Sequence, residues 1–169
     1  MTSKDYLSLS SCEILTTSAL SRETILKRIL SENVTNDYDF VIIDCLPSLG
    51  TMLINAFTAA DKVLIPVQTQ EFSMDGLQAL ESLIQQIKTT INPKLELLGI
   101  LPTMVDRTKI SRACVEVLHE KYGETLFRTS ISRAIEAANS AKNKTPLCLS
   151  AGKLSTEYGN LTQEVIERC

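Results

Sequence analysis

Four apolar residues in unbroken succession, Phe40 to Ile43, are closed on either side by a carboxylate, Asp39 and Asp44. Such a run has no alternating polar face, so it reads as a strand buried on both sides, as in parallel sheets covered by helices. Short apolar runs recur at Val63–Val67 and Leu97–Leu101, and Leu126 to Ile131 reads as a fourth, shorter strand. Between them the apolar residues fall at helical spacing. Ser21 is placed to cap a helix running to about Leu30, and Leu53, Ala56, Phe57 and Ala60 mark the next one. Ser73 caps a stripe of Met74, Leu77, Leu80, Leu83 or Ile84, Ile87 and Ile91, which Asn92 and Pro93 end. Ser111 is placed to cap a helix carrying Cys114, Val117, Leu118 and Tyr122, with Gly123 as its stop. Ala134 to Ala141 reads as helical, and Ser155 is placed to cap a last helix with Tyr158, Leu161 and Val165 on one face. Strands alternating with helices predict an α/β fold, a doubly wound, mostly parallel sheet with helices on both faces. No repeat, low-complexity segment or Pro/Gly-rich linker interrupts it, so the expectation is a single domain over residues 1–169.

The position of Asp44 gives the first functional indication. Open α/β sheets bind ligands outside the carboxyl ends of their strands, and Asp44 stands at such an end with Pro47 and Gly50 following. One reading is the Walker B acid of a nucleotide hydrolase, which helps to hold magnesium; the other is a turn aspartate after a buried strand. The sequence contains no G-x-x-x-x-G-K-[ST] phosphate loop to accompany it.

Composition removes several other classes. The five cysteines, Cys12, Cys45, Cys114, Cys148 and Cys169, form no C-x-x-C pair, so neither a zinc site nor a disulfide framework is indicated. A net charge of −3 speaks against a globally basic nucleic-acid binder, although not against a local basic patch. No apolar run is long enough to span a bilayer, and the first ten residues lack a basic region followed by an apolar one. A cytoplasmic protein without membrane contact is expected. The lone histidine, His119, lies beside Glu120 and Lys121 on the polar side of its helix. Ser48 sits in a Pro-Ser-Leu-Gly turn without the G-x-S-x-G frame of a serine hydrolase.

Three segments together narrow the class: Asp44–Gly50; Ala59–Gln68 with Met74–Gln78; and Ile91–Leu95 leading to Gly99–Asp106. In this order and spacing they resemble the ParA/Soj family of deviant-Walker partition ATPases, and the resemblance runs on from Leu7 to Thr24 upstream and through Tyr158 to Val165 downstream. It implies a sheet that binds Mg-ATP, a dimer formed around two nucleotides, nonspecific DNA as a surface and a ParB-type partner that stimulates hydrolysis. It also implies roles for residues. Asp44 acts on magnesium through a water. Pro47 and Gly50 belong to the switch loop that senses the terminal phosphate, where glycine lets the backbone approach closely. Thr103 and Met104, with Ser132 and Arg133, lie near the purine; for Thr103 and Met104 the competing reading is a strand end packed under a loop. Lys109, Arg112, Arg133, Lys142 and Lys144 form a basic surface for DNA, or are simply solvated.

The sequence departs from the family pattern at Leu46 and Ser132, each standing where a proline is usual, and at Glu136, where an arginine is common. A carboxylate at that point is expected to repel phosphate. The resemblance also places residue 1 downstream of the phosphate loop. The expectation is therefore the C-terminal portion of a partition ATPase domain that, taken alone, binds ATP weakly and scarcely hydrolyses it, since phosphoryl transfer depends on positioned charge. The alternative is a non-catalytic remnant or regulator that binds a full-length ParA, as homo- or heterodimer, or a ParB-type partner.

Overall fold

A computed structural model describes residues 21–31, 38–45, 50–149 and 151–169. Val63, Ile65 and Val67 point inward from β1 (Lys62–Gln68), while Pro66 and Gln68 face out. Such alternation marks a strand with one covered face. β1 pairs with β2 (Glu96–Thr103), in which Gly99 to Pro102 are all buried. The Glu96 N–H donates to the Asp61 carbonyl at the start of the pair and the Thr69 N–H to the Thr103 carbonyl at its end, so the two strands run parallel. A third extended segment pairs in parallel with β2 at Ile100–Leu126 and with the residues just past it at Val105–Ser132. The expected strand at Leu126–Ile131 is thus present as two points of pairing rather than a continuous ladder.

Six α-helices complete the described residues: α1 (Ile25–Ser31), α2 (Thr51–Ala59), α3 (Met74–Thr90), α4 (Lys109–Tyr122), α5 (Ile135–Asn143) and α6 (Lys153–Arg168). Helices alternating with parallel strands make the α/β class that the sequence predicts. The chain divides into two compact units, one holding the described residues up to Lys62 together with Leu77–Glu96, the other Val63–Gly76 with Leu97–Cys169.

In the first unit, buried Asn55 replaces the missing helix partners of its neighbours. Its Nδ2 donates to the carbonyls of Arg22 and Thr51, and its Oδ1 accepts from the Leu26 N–H, one of the unpaired donors at the start of α1. Asn92, just beyond α3, does the same for the end of α2 by donating to the carbonyls of Phe57 and Ala60. The run from Phe40 to Asp44 departs from expectation. It belongs to no strand among the described residues, and Phe40, Val41 and Ile42 are 53%, 48% and 92% exposed. An apolar run becomes a strand only when another strand takes up its backbone groups, and no described strand does so here; the Ile43 carbonyl accepts instead from the Cys45 thiol at 3.7 Å.

The second unit closes around Leu101, Phe127, Ile131 and Leu154, with Leu64, Leu98, Leu161 and Val165 packed against them. Gly99 has φ 156°, and a Cβ there would lie 2.6 Å from both the Phe127 ring and the Thr125 carbonyl, so only glycine lets the third segment approach β2. Helix starts differ from those expected. Thr108, not Ser111, caps α4, its side chain accepting from the Ser111 N–H, because the Ser111 hydroxyl is buried against Thr69. α6 begins after Gly152 rather than at Ser155, and Tyr158 lies on its exposed side. Ser21 has left-handed backbone and makes no side-chain cap, whereas Ser73 does cap α3, through the Gly76 N–H.

Candidate functional site

The carboxyl ends of β1, β2 and the third segment meet in one hydrogen-bonded cluster. Thr69, buried just past β1, donates its N–H to Thr103 and its hydroxyl to the Met104 carbonyl, and shares a 2.8 Å bond with the Ser111 hydroxyl. Ser111 in turn accepts the Asp106 N–H. Met104 is thereby held at φ 53°, a left-handed conformation that a methionine adopts only under constraint, with its side chain exposed. Strain held at a strand end, where α/β sheets bind ligands, marks a candidate site.

The rim of the cluster is polar. Arg133 Nη1 donates to Gln70 Oε1 at 2.9 Å, and Gln70 Nε2 donates to Asp106 Oδ2. Asp106 Oδ1 also accepts the Thr108 hydroxyl at 2.6 Å and the Thr108 N–H at 2.9 Å. The Thr108 hydroxyl and N–H hold the Asp106 carboxyl below its ordinary value against an opposing effect of burial, with lesser help from Gln70 and the charge of Arg133. The rim therefore keeps an ionised acceptor beside a guanidinium donor, with an exposed thioether next to them. That set suits a flat heterocycle edged with donors and acceptors.

Four residues expected near a purine, Thr103, Met104, Ser132 and Arg133, fall in this cluster, through the bridge of Val105 to Ser132. The Ser132 hydroxyl, however, donates to Glu157 Oε1 at 2.7 Å, so it is turned toward α6. Gln70 and Asp106 went unrecognised as site residues. The rule that singled out Asp44, a polar side chain just past a buried strand, finds both.

Asp44 and Gly50 lie in the first unit. No described residue hydrogen-bonds or ion-pairs with the exposed Asp44 carboxylate. An unengaged carboxylate suits magnesium, which keeps most of its waters and takes one or two protein carboxylates. Among the described residues no group of three or more acidic, histidine or cysteine side chains gathers as a metal cage. Gly50 precedes α2 and its carbonyl accepts from Leu53 and Ile54; its φ of −95° is one that any residue adopts. Pro47 lies outside the described residues. Of the basic residues, Lys109 and Arg112 stand exposed three apart on α4, Lys142 and Lys144 close α5, and Arg133 is engaged by Gln70. Glu136 does not face a phosphate site: its Oε2 accepts the Leu154 N–H in the first turn of α6. His119 is exposed on α4.

A family model described as an AAA domain matches residues 3–97, more than half of the sequence. The sporulation initiation inhibitor protein Soj of Bacillus subtilis is 35% identical over 144 residues, which are 85% of this chain and 56% of that protein. The chain belongs to the ParA/Soj family. Cobyrinic acid a,c-diamide synthase of Mycobacterium smegmatis, crystallised with ADP and magnesium, superposes with a TM-score of 0.66 at 35% identity, over 75% of this ParA/Soj chain and 51% of the synthase. A plasmid partition protein of Borrelia burgdorferi shares the fold with a TM-score of 0.70 at 19% identity, over 97% of this chain and 60% of its own. The ParA/Soj chain thus has the doubly wound α/β fold of the P-loop nucleotide hydrolases, and it spans about half the length of the relatives it matches. Among its described residues no helix is long and apolar enough to cross a membrane.

Proposed function

We propose that the strand-end cluster is the base-binding part of a ParA-type nucleotide site, that Asp44 is a magnesium-binding acid, and that the chain serves ATP-dependent DNA segregation, of a chromosome or a plasmid, in the cytoplasm at the nucleoid. The observation that carries the reading is the strand-end cluster, in which Gln70, Thr103, Met104, Asp106, Ser132 and Arg133 converge in a chain of the ParA/Soj family. In this reading Met104 and Arg133 flank the purine, and Ser132 contributes through its backbone. Asp44 holds magnesium through a water, and Pro47 and Gly50 form the switch loop. Bound magnesium neutralises phosphate charge; a relative crystallised with ADP and magnesium supports that assignment. Lys109, Arg112, Lys142 and Lys144 contact nonspecific DNA through phosphates, while Arg133 divides its charge between the DNA face and Gln70. A ParB-type protein and a second ParA chain are the partners.

The exposed Phe40–Asp44 run favours a second reading, in which the chain is a non-catalytic regulator that works by binding a full-length ParA or a ParB-type partner. Calorimetric titration of Mg-ATP into the purified chain separates the two. Micromolar binding that is lost in Asp44→Ala supports the nucleotide-site reading and removes the regulator. No binding, with co-elution of a full-length ParA, removes autonomous nucleotide use.

A further inference from the structure

Ser132, like Arg128 and Thr129 in the same segment, turns its backbone N–H toward α6 rather than β2. Its neighbours bond to Val105, with the Ile131 carbonyl accepting the Val105 N–H and the Arg133 N–H donating to the Val105 carbonyl. The Ser132 N–H therefore faces the other edge, where an unpaired donor is costly. Glu157 of α6 fills that edge. Its Oε2 accepts the Ser132 N–H at 2.8 Å and its Oε1 the Ser132 hydroxyl at 2.7 Å, from a side chain only 16% exposed. Lys153 closes the group by donating to Ser132 Oγ at 2.7 Å and pairing with Glu157 at 3.4 Å.

A second latch lies beside the first. Glu136 Oε2 accepts the Leu154 N–H at 3.1 Å, and a Cβ on Gly152 would lie 2.7 Å from that same oxygen. The segment leading into α5 and the first turn of α6 are thus locked from both sides. Register is what the lock secures. Slipping an extended segment by one residue sends every side chain to the opposite face. Arg133 would then leave Gln70, and Asp106 would lose its neighbouring positive charge.

We propose that Glu157 is a positioning residue of the strand-end site: by holding Ser132 it fixes the register that delivers Arg133 to Gln70 and Asp106, and so sets how tightly and how selectively a purine is held. This inference rests on the nucleotide-site reading above. Glu157 itself does not touch the base; it acts through Ser132.

Amide NMR of the whole chain, titrated with AMP and separately with GMP, tests the assignment. In the wild type AMP shifts the amides of Met104 and Arg133 saturably. Glu157→Ala weakens AMP about tenfold, the loss of one to two net hydrogen bonds, and narrows the difference between AMP and GMP. Glu157→Gln, which keeps an acceptor for the Ser132 N–H, recovers much of both. The amides of Arg128 and Thr129, held separately by Glu164, report whether α6 stays docked in each variant. AMP affinity and selectivity unchanged in Glu157→Ala, with Met104 and Arg133 still shifting, overturn the positioning role and leave the site reading standing. No response at Met104 and Arg133 in the wild type overturns the site reading, and the positioning role with it. Should Glu157→Ala fail to fold, Ser132→Ala removes the hydroxyl's bonds to Glu157 and Lys153 and keeps the backbone one; a weakening of a few-fold supports the role, and wild-type affinity overturns it.

Discussion

Glu164 anchors α6 to the third segment, and its carboxylate is the strongest electrostatic determinant in the second unit. It accepts the N–H groups of Arg128 and Thr129, both at 2.9 Å, and the Arg168 guanidinium at 2.8 Å, with Arg128 Nε at 3.6 Å. Burial, at 3% exposure, would by itself raise the carboxyl pKa, but the Arg128 and Thr129 hydrogen bonds and then Arg168 reverse this and bring it to about 2 from an ordinary 4.5. At 1.36 kcal/mol per tenfold change in proton affinity, that difference corresponds to roughly 3 kcal/mol favouring the folded unit. Because the folded value is depressed, the contribution is complete above the unfolded value of 4.5 and is lost as pH falls toward the folded value of about 2. Glu164→Gln keeps the shape but removes the charge and leaves a poorer acceptor for two backbone donors. The expected cost at pH 7 is about 2–3 kcal/mol, and exchange of the Arg128 and Thr129 amides should quicken by roughly a hundredfold. Urea unfolding and hydrogen exchange of wild type and variant, followed from pH 7 to pH 3, should show the gap shrinking with acidity. A gap under about 0.5 kcal/mol at pH 7, or one independent of pH, would refute the reasoning.

Three further outcomes follow from single positions. Thr58 is wholly buried and its hydroxyl has no hydrogen-bond partner among the described residues, so Thr58→Val should raise stability in urea unfolding by about 1 kcal/mol; a fall would show that the hydroxyl is satisfied. Gly99→Ala puts a methyl into the Phe127 ring and the Thr125 carbonyl at an unfavourable φ, and should lower stability by at least about 2 kcal/mol in thermal unfolding. An unchanged Tm would mean that the third segment moves freely. Replacing Lys142 and Lys144 together by alanine should flatten the salt dependence of binding to a nonspecific duplex, read by fluorescence anisotropy, by up to about two units of log–log slope; an unaltered slope removes both from the DNA contact.

Periodicity made most of the elements legible, since the α3 stripe and the helix after Gly50 depend on local spacing that the chain carries on its face. Helix starts were less so. Both Thr108 and Ser111 are good caps, and the choice between them is made by Thr69, forty-two residues from Ser111, whose hydroxyl claims Ser111. The Phe40–Ile43 run has the composition of a buried strand, but composition does not supply the neighbouring ladder that would make it one. At the site, Thr103, Met104, Ser132 and Arg133 were named through the family resemblance alone, and the structure brings them together past the strand ends. Gln70 was passed over because its partners, Asp106 and Arg133, come from distant loops. Glu157 and Glu164 went unrecognised, and Glu136 was read against phosphate rather than against the first turn of α6. The signal was their place: Glu157 and Glu164 interrupt the stripe of Leu154, Leu161 and Val165 that α6 turns inward. Carboxylates in an apolar stripe call for buried donors, and the free backbone groups of the third segment are those donors.

The central claim is that the strand-end cluster holds the purine of a nucleotide. Photolabelling with 8-azido-ATP, followed by peptide mapping, tests it directly. The account predicts label within residues 103–108 and 131–133, abolished by excess ATP and reduced in Arg133→Ala. Label confined to other segments, or label in the cluster that excess ATP leaves unchanged, would contradict it.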